Sequence, residues 1–170
     1  MRIIDGYVCA ARFDGPVTQV ILFGPNTGNG TGCAQNLVTN NISIYTNKKT
    51  AREGINQLKQ RKEFAQVKIA KLHMDIAEKI QEFELEQIKN SKSLAVIMIN
   101  DSFPVIERYL YGPMVEGKPG DYPLPGALLM HTEFKTFDSL ERAIYLAKEI
   151  NRQPQCAIQI AHFELKILEE

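Results

Sequence analysis

The sequence lacks the features that mark a secreted or membrane protein. It contains no tryptophan, and its three cysteines, Cys9, Cys33 and Cys156, are an odd number without paired spacing. Such cysteines are typical of reduced thiols inside a cell, not of a disulfide framework. No apolar run approaches the roughly 18 residues of a membrane-spanning helix, and the N-terminal segment is too short in apolar content for a signal peptide. We therefore expect a cytoplasmic protein without membrane contacts.

The chain also lacks an excess of charge of either sign. Its 20 basic residues balance its 20 acidic residues, so no overall field attracts it to nucleic acid or to an anionic surface. A chain of 170 residues of which 44% are hydrophobic can bury one real core, or two small ones side by side. The composition predicts a soluble globular protein.

Residue clusters typical of catalysis or metal binding are missing as well. His73, His131 and His162 have no cysteine or carboxylate partners at metal-ligand spacing. Cys9 is predicted to be a core residue of an apolar strand, and no basic or histidine neighbour would activate Cys33 as a nucleophile. We predict no catalytic residue, no metal site and no cofactor, and therefore a protein that is not an enzyme.

What the sequence does contain is an internal repeat. YVCAA (7–11) aligns with AVIMI (95–99), and VILFGP (20–25) aligns with RYLYGP (108–113), both with a shift of 88 in residue number. Tyr45 aligns with Phe137 with a shift of 92, and Val67 aligns with Ile158 with a shift of 91. The second unit is therefore four residues longer than the first in the loop after its Gly-Pro pair, and one residue shorter between the helix and the last strand. An ordered series with such small length changes indicates a tandem duplication.

Each repeat unit reads as three strands, a helix and a final strand. The first two strands are short and rich in β-branched or aromatic residues, with turn signals between them, as in a hairpin. A glycine-rich loop and a third strand follow, at 41–46 or 131–136. Thr46 and Asp138 are the predicted N-caps of the two helices, with Glu141 completing a capping box after Asp138.

These units predict an α+β fold of two tandem βββαβ units, residues 1–76 and 93–170, with mainly antiparallel sheet and helices packed on one face. A charged amphipathic helix at 77–92 would join them. The apolar positions of the last strands change parity after Ile69 and after Ile160, which indicates a β-bulge in each. Whether the units share one sheet, and which oligomeric state the protein adopts, stay open.

The glycine-rich segment GPNTGNGTG at 24–32 raises the question of phosphate binding. It has neither Gly-x-Gly-x-x-Gly spacing nor a Gly-Lys-Ser/Thr ending, and coil and strand follow it where a phosphate cradle needs a helix. Long loops still concentrate function, and a second loop at 112–126 occupies the related position. The candidate ligand-binding residues, for a nucleotide or similar small anion, are Asn26, Thr27, Gly28, Asn29, Gly30, Thr31, Lys118, Asp121 and Tyr122.

Basic residues cluster on and near the first predicted helix. The candidate partner-binding residues are Lys48, Lys49, Arg52, Lys59 and Arg61. Clustered cations contact phosphates or acidic protein surfaces, although an ordinary exposed helix face is the commoner explanation of such a pattern. Nucleic acid is not the favoured partner, because the second helix has mixed charge.

Two segments of the chain share a pattern that is also seen in other proteins. They are IYTNKKTAREGINQLKQRKEFAQVKIAKLHM (44–74) and FKTFDSLERAIYLAKEINRQPQCAIQIAHFEL (134–165). Each has a strand ending in threonine, a helix containing alanine and a final strand. This pattern resembles one common in small accessory proteins of bacteriophages and other mobile elements. The resemblance implies no catalytic residue, and it implies a protein that binds and blocks a host component.

The leading hypothesis is therefore a non-catalytic binding protein, a phage-type antagonist that blocks a host protein or defence complex. The second hypothesis is a protein that sequesters or senses a nucleotide or nucleotide signal with its glycine-rich loops. An enzyme of unrecognised type is the third, and a nucleic-acid-binding accessory protein is the fourth.

Overall fold

A curled antiparallel sheet with α-helices on one face forms the body of the protein. The computed structural model describes residues 1–14, 19–25, 35–36, 44–80, 82–102, 105–113, 136–150 and 156–168. The strands are β1 (Arg2–Phe13), β2 (Gln19–Gly24), β3 (Gln35–Asn36), β4 (Phe64–Ala77), β5 (Leu94–Ser102), β6 (Val105–Tyr111) and β7 (Cys156–Ile167). The helices in this part of the chain are α1 (Lys48–Leu58), α2 (Glu82–Ile88) and α3 (Leu140–Ile150). The predicted α+β class is confirmed.

The strand order answers the question of whether the two predicted units share a sheet. The order is β3-β2-β1-β4-β7-β5-β6, so strands of both units form one continuous sheet. From the central pair outward, β4-β1-β2 on one side matches β7-β5-β6 on the other. We call β1, β2, β4 and α1 the first half, and β5, β6, β7 and α3 the second half. Duplication of the sequence and its division into domains stay predictions.

Backbone pairing shows how the two halves correspond. Cys9 lies opposite Ile69 in the first half, and Val96 lies opposite Ile160 in the second. Ile160 follows Ile69 by 91 residues and Val96 follows Cys9 by 87, so the shift of 88 predicted for this strand was wrong by one. A one-residue error exchanges the two faces of a strand. Both strands are apolar on both faces, so their composition does not fix the register.

Residues 41–43 and 131–135 of the two predicted third strands lie outside the described residues. The chain that follows them forms a single bridge in each half. Tyr45 exchanges two backbone hydrogen bonds of 2.8 Å with Tyr7, and Phe137 exchanges bonds of 2.7 and 2.9 Å with Leu94. The paired strand β3 instead lies between the predicted second and third strands.

The helix caps lie one residue later than predicted. Asn47, not Thr46, caps α1, and its Oδ1 accepts a 3.0 Å hydrogen bond from the N–H of Thr50. In α3 the N–H of Arg142 donates to Ser139 Oγ at 3.4 Å. Asparagine and serine are both favoured at the N-cap, because the side-chain oxygen accepts a hydrogen bond from a backbone N–H of the first turn that has no partner within the helix. Adjacent polar residues made the two positions hard to separate by sequence.

The predicted β-bulges after Ile69 and Ile160 were also wrong. β4 keeps its register with β1 through Ile69, and β7 keeps its register with β5 through Ile160. The register shift between β1 and β4 falls between Arg12 and Phe13 instead. The apolar parity changes because each strand first buries the face that its helix covers and then buries the opposite face.

The core is divided between the two faces of the sheet. On the face away from the helices, both halves contribute to one central cluster, which includes Leu22, Leu72, Met74, Ile97 and Phe163. On the other face, α1 covers a second cluster with Cys9, Ile55, Leu58 and Ile69, and α3 covers a third with Val96, Ala143 and Ile160. Burying each such aliphatic side chain stabilises the fold by about 1.5–3 kcal/mol. The predicted core position of Cys9 is confirmed, since its side chain is fully buried.

The helix between the halves is shorter than predicted and is part of the core. It covers seven residues of the predicted segment 77–92. Ile88 is buried, and Leu85 packs against the third cluster beside β4 and β7. α2 is therefore docked on the sheet.

Candidate functional site

An open groove of about 750 Å³ lies between α1 and β4. It exists because β7 pairs with β4 only from Ala70 to Ala77. Residues 64–69 of β4 therefore have β1 on one edge and no described strand on the other. Leu168 closes one end of the groove, where its N–H donates to the carbonyl of Ile69 at 2.9 Å.

The groove combines an apolar floor with a cationic rim. Its apolar lining consists of Ile55, Phe64, Val67, Ile69 and Leu168, with Ala65 beside them. Arg52, Asn56 and Lys59 of the α1 side are exposed and line the same groove. Their spacing of four and three residues places them on one face of the helix. Such a surface suits an amphipathic ligand that presents apolar groups to the floor and negative charge to the rim.

The N-terminus of α1 adds cations where a helix disfavours them. Lys48 and Lys49 are exposed in its first turn, and that turn contains no acidic residue. The helix dipole is positive at this end, so each misplaced cation costs about 0.3–1 kcal/mol. These charges therefore interact unfavourably with the helix dipole, and Lys48 lies one helical turn before Arg52 on the same face.

Arg61 has a different role from the other predicted cations. Its Nε donates to Glu63 Oε1 at 2.7 Å, and its guanidinium lies 4.8 Å from the ring centroid of Phe64 and 5.8 Å from that of Phe23. The two rings pack edge to face with centroids 5.6 Å apart. Arg61 thus holds the turn after α1 against the sheet.

The predicted site residues are therefore only partly brought together. Arg52 and Lys59 line the groove, whereas Lys48, Lys49 and Arg61 do not. The remaining predicted residues, which belong to the two glycine-rich loops, lie outside the described part of the chain: Asn26, Thr27, Gly28, Asn29, Gly30, Thr31, Lys118, Asp121 and Tyr122. The proposal that these loops bind a small anion stays a prediction.

A second polar cluster lies where β4 meets β7. His73 Nδ1 is 3.3 Å from Asp5 Oδ1, and His73 Nε2 is 3.2 Å from Asp75 Oδ1. His162 Nε2 is 2.9 Å from Glu164 Oε1, and the two histidine rings are 6.2 Å apart. No local sequence pattern indicates this cluster, because Asp5 and His73 are 68 residues apart. Their proximity depends on the register between β1 and β4.

The environment of His73 sets its protonation. Burial, the largest single effect, lowers the pKa of His73, but hydrogen bonds to Asp75 and Asp5 and the charges of both carboxylates raise it above its ordinary value overall. The cluster therefore favours an imidazolium that ties β1 and β4 together. Among the described residues, no group of three or more His, Cys, Asp or Glu side chains is arranged to hold a metal ion.

Comparisons with known proteins add no family. Neither models of protein families, nor curated proteins, nor solved structures match this chain. In the described parts of the chain, no helix has the length and apolar character to cross a membrane.

Proposed function

We propose that this protein is a non-catalytic binding protein that holds a partner protein in the groove between α1 and β4. One observation carries the proposal, namely an apolar floor at an open strand edge with Arg52 and Lys59 along the rim. Protein partners are bound by surfaces in which buried apolar contacts supply affinity and charges at the rim supply specificity.

A cation at the N-terminus of α1 also supports this proposal. Lys48 opposes the helix dipole and lies one helical turn before Arg52 on the same face, and departures from local stability rules are expected at functional sites. Binding and blocking of a host component, as the resemblance to phage accessory proteins implies, is the more specific form of the same proposal.

Charge reversal on the rim tests the proposed function. The full-length protein with Arg52→Glu and Lys59→Glu is compared with a control that carries Lys49→Glu and Lys62→Glu, exposed positions that do not line the groove. Both variants change the net charge equally. Quantitative mass spectrometry then compares the proteins that each variant and the wild type capture from the cells in which the protein acts.

We expect a specific protein that the wild type and the control capture and the rim variant loses by at least about tenfold, since tenfold corresponds to about 1.4 kcal/mol. Equal loss from both variants would show a nonspecific charge effect. Equal capture by all three proteins would place the binding surface elsewhere. Circular dichroism checks that each variant is folded.

A further inference from the structure

The corresponding strand edge in the second half also lacks a described neighbouring strand, and α2 contacts β4 and β7 on the helix face of the sheet. β7 pairs with β4 from Ile160 onward, so its first residues have β5 on one side and no described strand on the other. Ile158 and Ile160 correspond to Val67 and Ile69 of the groove at a shift of 91. In the third cluster these two isoleucines share their environment with Ile88 of α2.

The remaining walls correspond in the same way. Ile55 and Leu168 line the groove. Ile55 corresponds to Ala147 at a shift of 92, and Leu168 corresponds to Ala77 at a shift of 91. Both alanines are buried in the cluster that contains α2. Ile88 and Leu85 of α2 thus pack in the cluster that corresponds, in the second half, to the apolar lining of the groove.

α2 is short, amphipathic and acidic. Its inward residues include Ile88 and the half-buried Leu85, and Phe83 on its outer side is 65% exposed. The buried Glu84 is 3.1 Å from the N-terminal ammonium and accepts a 3.0 Å hydrogen bond from the N–H of Lys79. The hydrogen bond to the N-terminal ammonium, the largest effect, lowers the pKa of Glu84. α2 therefore docks with apolar contacts and a carboxylate paired with a cation.

We infer that the groove receives an acidic amphipathic helix of the partner protein, packed on the apolar floor of the groove as α2 packs on the third cluster beside β4 and β7. This inference rests on the proposed function and specifies the partner's element. The Arg52 and Lys59 side chains on the rim supply the positive charge that an acidic helix requires. The open edge of six strand residues extends for about 20 Å, which matches roughly 13 residues of helix.

A stapled peptide with the sequence of residues 78–92 serves as the probe. A hydrocarbon staple replaces the side chains at 83 and 87, which are exposed in α2, and a fluorophore reports binding to the full-length protein by anisotropy. A second peptide carries proline at position 85 and cannot be helical. The protein is tested as wild type, as the Arg52→Glu, Lys59→Glu variant and as the Lys49→Glu, Lys62→Glu control.

We expect saturable binding of the stapled peptide that the rim variant weakens by at least about tenfold and the control leaves within about twofold. Amide NMR shifts should change at Val67 and Ile69. Absence of saturation, equal affinity for the rim variant and the control, or equal affinity for the proline peptide would overturn the inference. If the peptide fails while rim-dependent capture of a partner succeeds, the proposed function stands and only the helical occupant is wrong. If neither the peptide nor a cellular partner binds in a rim-dependent way, the proposed function is contradicted as well.

Discussion

At the scale of single residues, Gly6 lies at a position that has no room for a side chain. A Cβ there would lie 2.5 Å from the carbonyl oxygen of Tyr45 and 2.6 Å from Cδ1 of Ile44. The Tyr45 backbone is fixed by its two hydrogen bonds to Tyr7. We expect Gly6→Ala to lower the free energy of unfolding by about 1–3 kcal/mol, as overpacking does. Urea denaturation measures this change. An unaltered denaturation midpoint would show that the backbone around Tyr45 can move to accommodate the methyl group without loss of stability.

His73 makes the stability of the protein depend on pH. Its folded pKa is raised from 6.5, so its contribution is fully present below the unfolded pKa and is lost as pH rises through the folded pKa. We expect His73→Gln to reduce stability more near pH 5 than near pH 8. Urea denaturation at both values measures the difference.

Ring-proton NMR titration provides the control for His73. Asp5→Asn and Asp75→Asn should each lower the pKa of His73, because each removes a carboxylate partner. Glu164 and His162 face the same seam, so the titration must resolve both imidazoles. A pKa of His73 at or below the ordinary value in the wild type would contradict this account.

At the scale of elements, α1 has a charge distribution that opposes its own stability. Lys48 and Lys49 occupy its first turn without an acidic neighbour there. We expect Lys48→Glu and Lys49→Glu each to raise the free energy of unfolding by about 0.3–1 kcal/mol or somewhat more, because the new carboxylate interacts favourably with the helix dipole. Thermal melts at low ionic strength measure the gain, which salt should reduce. A loss of stability in both variants would show that these lysines contribute to the fold.

α2 provides the second prediction at this scale. Ile88 is buried in the third cluster, whereas Phe83 is exposed. We expect Ile88→Ala to cost about 2–5 kcal/mol, as large-to-small changes in a core do. Phe83→Ala on the same helix should stay within about 0.5 kcal/mol. If both substitutions have equally small effects, α2 is a solvated connection and its docking surface is not a template for the groove.

At the scale of the whole molecule, the hairpin, the helix and the final strand of each half were predictable from the sequence, and the register between strands was not. Gly-Pro pairs and the apolar spacing of the helices align the halves correctly from β2 to β6 and from α1 to α3. The shift between β1 and β5 was missed because strands that are apolar on both faces have no alternation to fix it. After Ile69 the apolar residues of β4 move to the opposite face of the strand, because the buried face changes there. Which face is buried depends on tertiary packing.

The candidate site was predictable only in part for the same reason. Arg52 and Lys59 belong to a basic helix that the sequence identified, and helical spacing places them on one face. The apolar floor depends on where β7 stops pairing with β4, a long-range property that no local pattern records. Leu168 reaches Ile69 across 99 residues. The sheet edge that defines the groove is thus set by the meeting of the two halves.

Site-specific photo-cross-linking tests the central claim most directly. A photoreactive amino acid replaces Asn56, which lines the groove, or Glu53, which is exposed on the same helix and does not line it. After irradiation in the cells where the protein acts, the account predicts a discrete cross-linked species of higher mass from position 56 and not from position 53. The rim variant Arg52→Glu, Lys59→Glu should abolish that species. Equal cross-linking from both positions, or from position 53 alone, would contradict a partner-binding groove between α1 and β4.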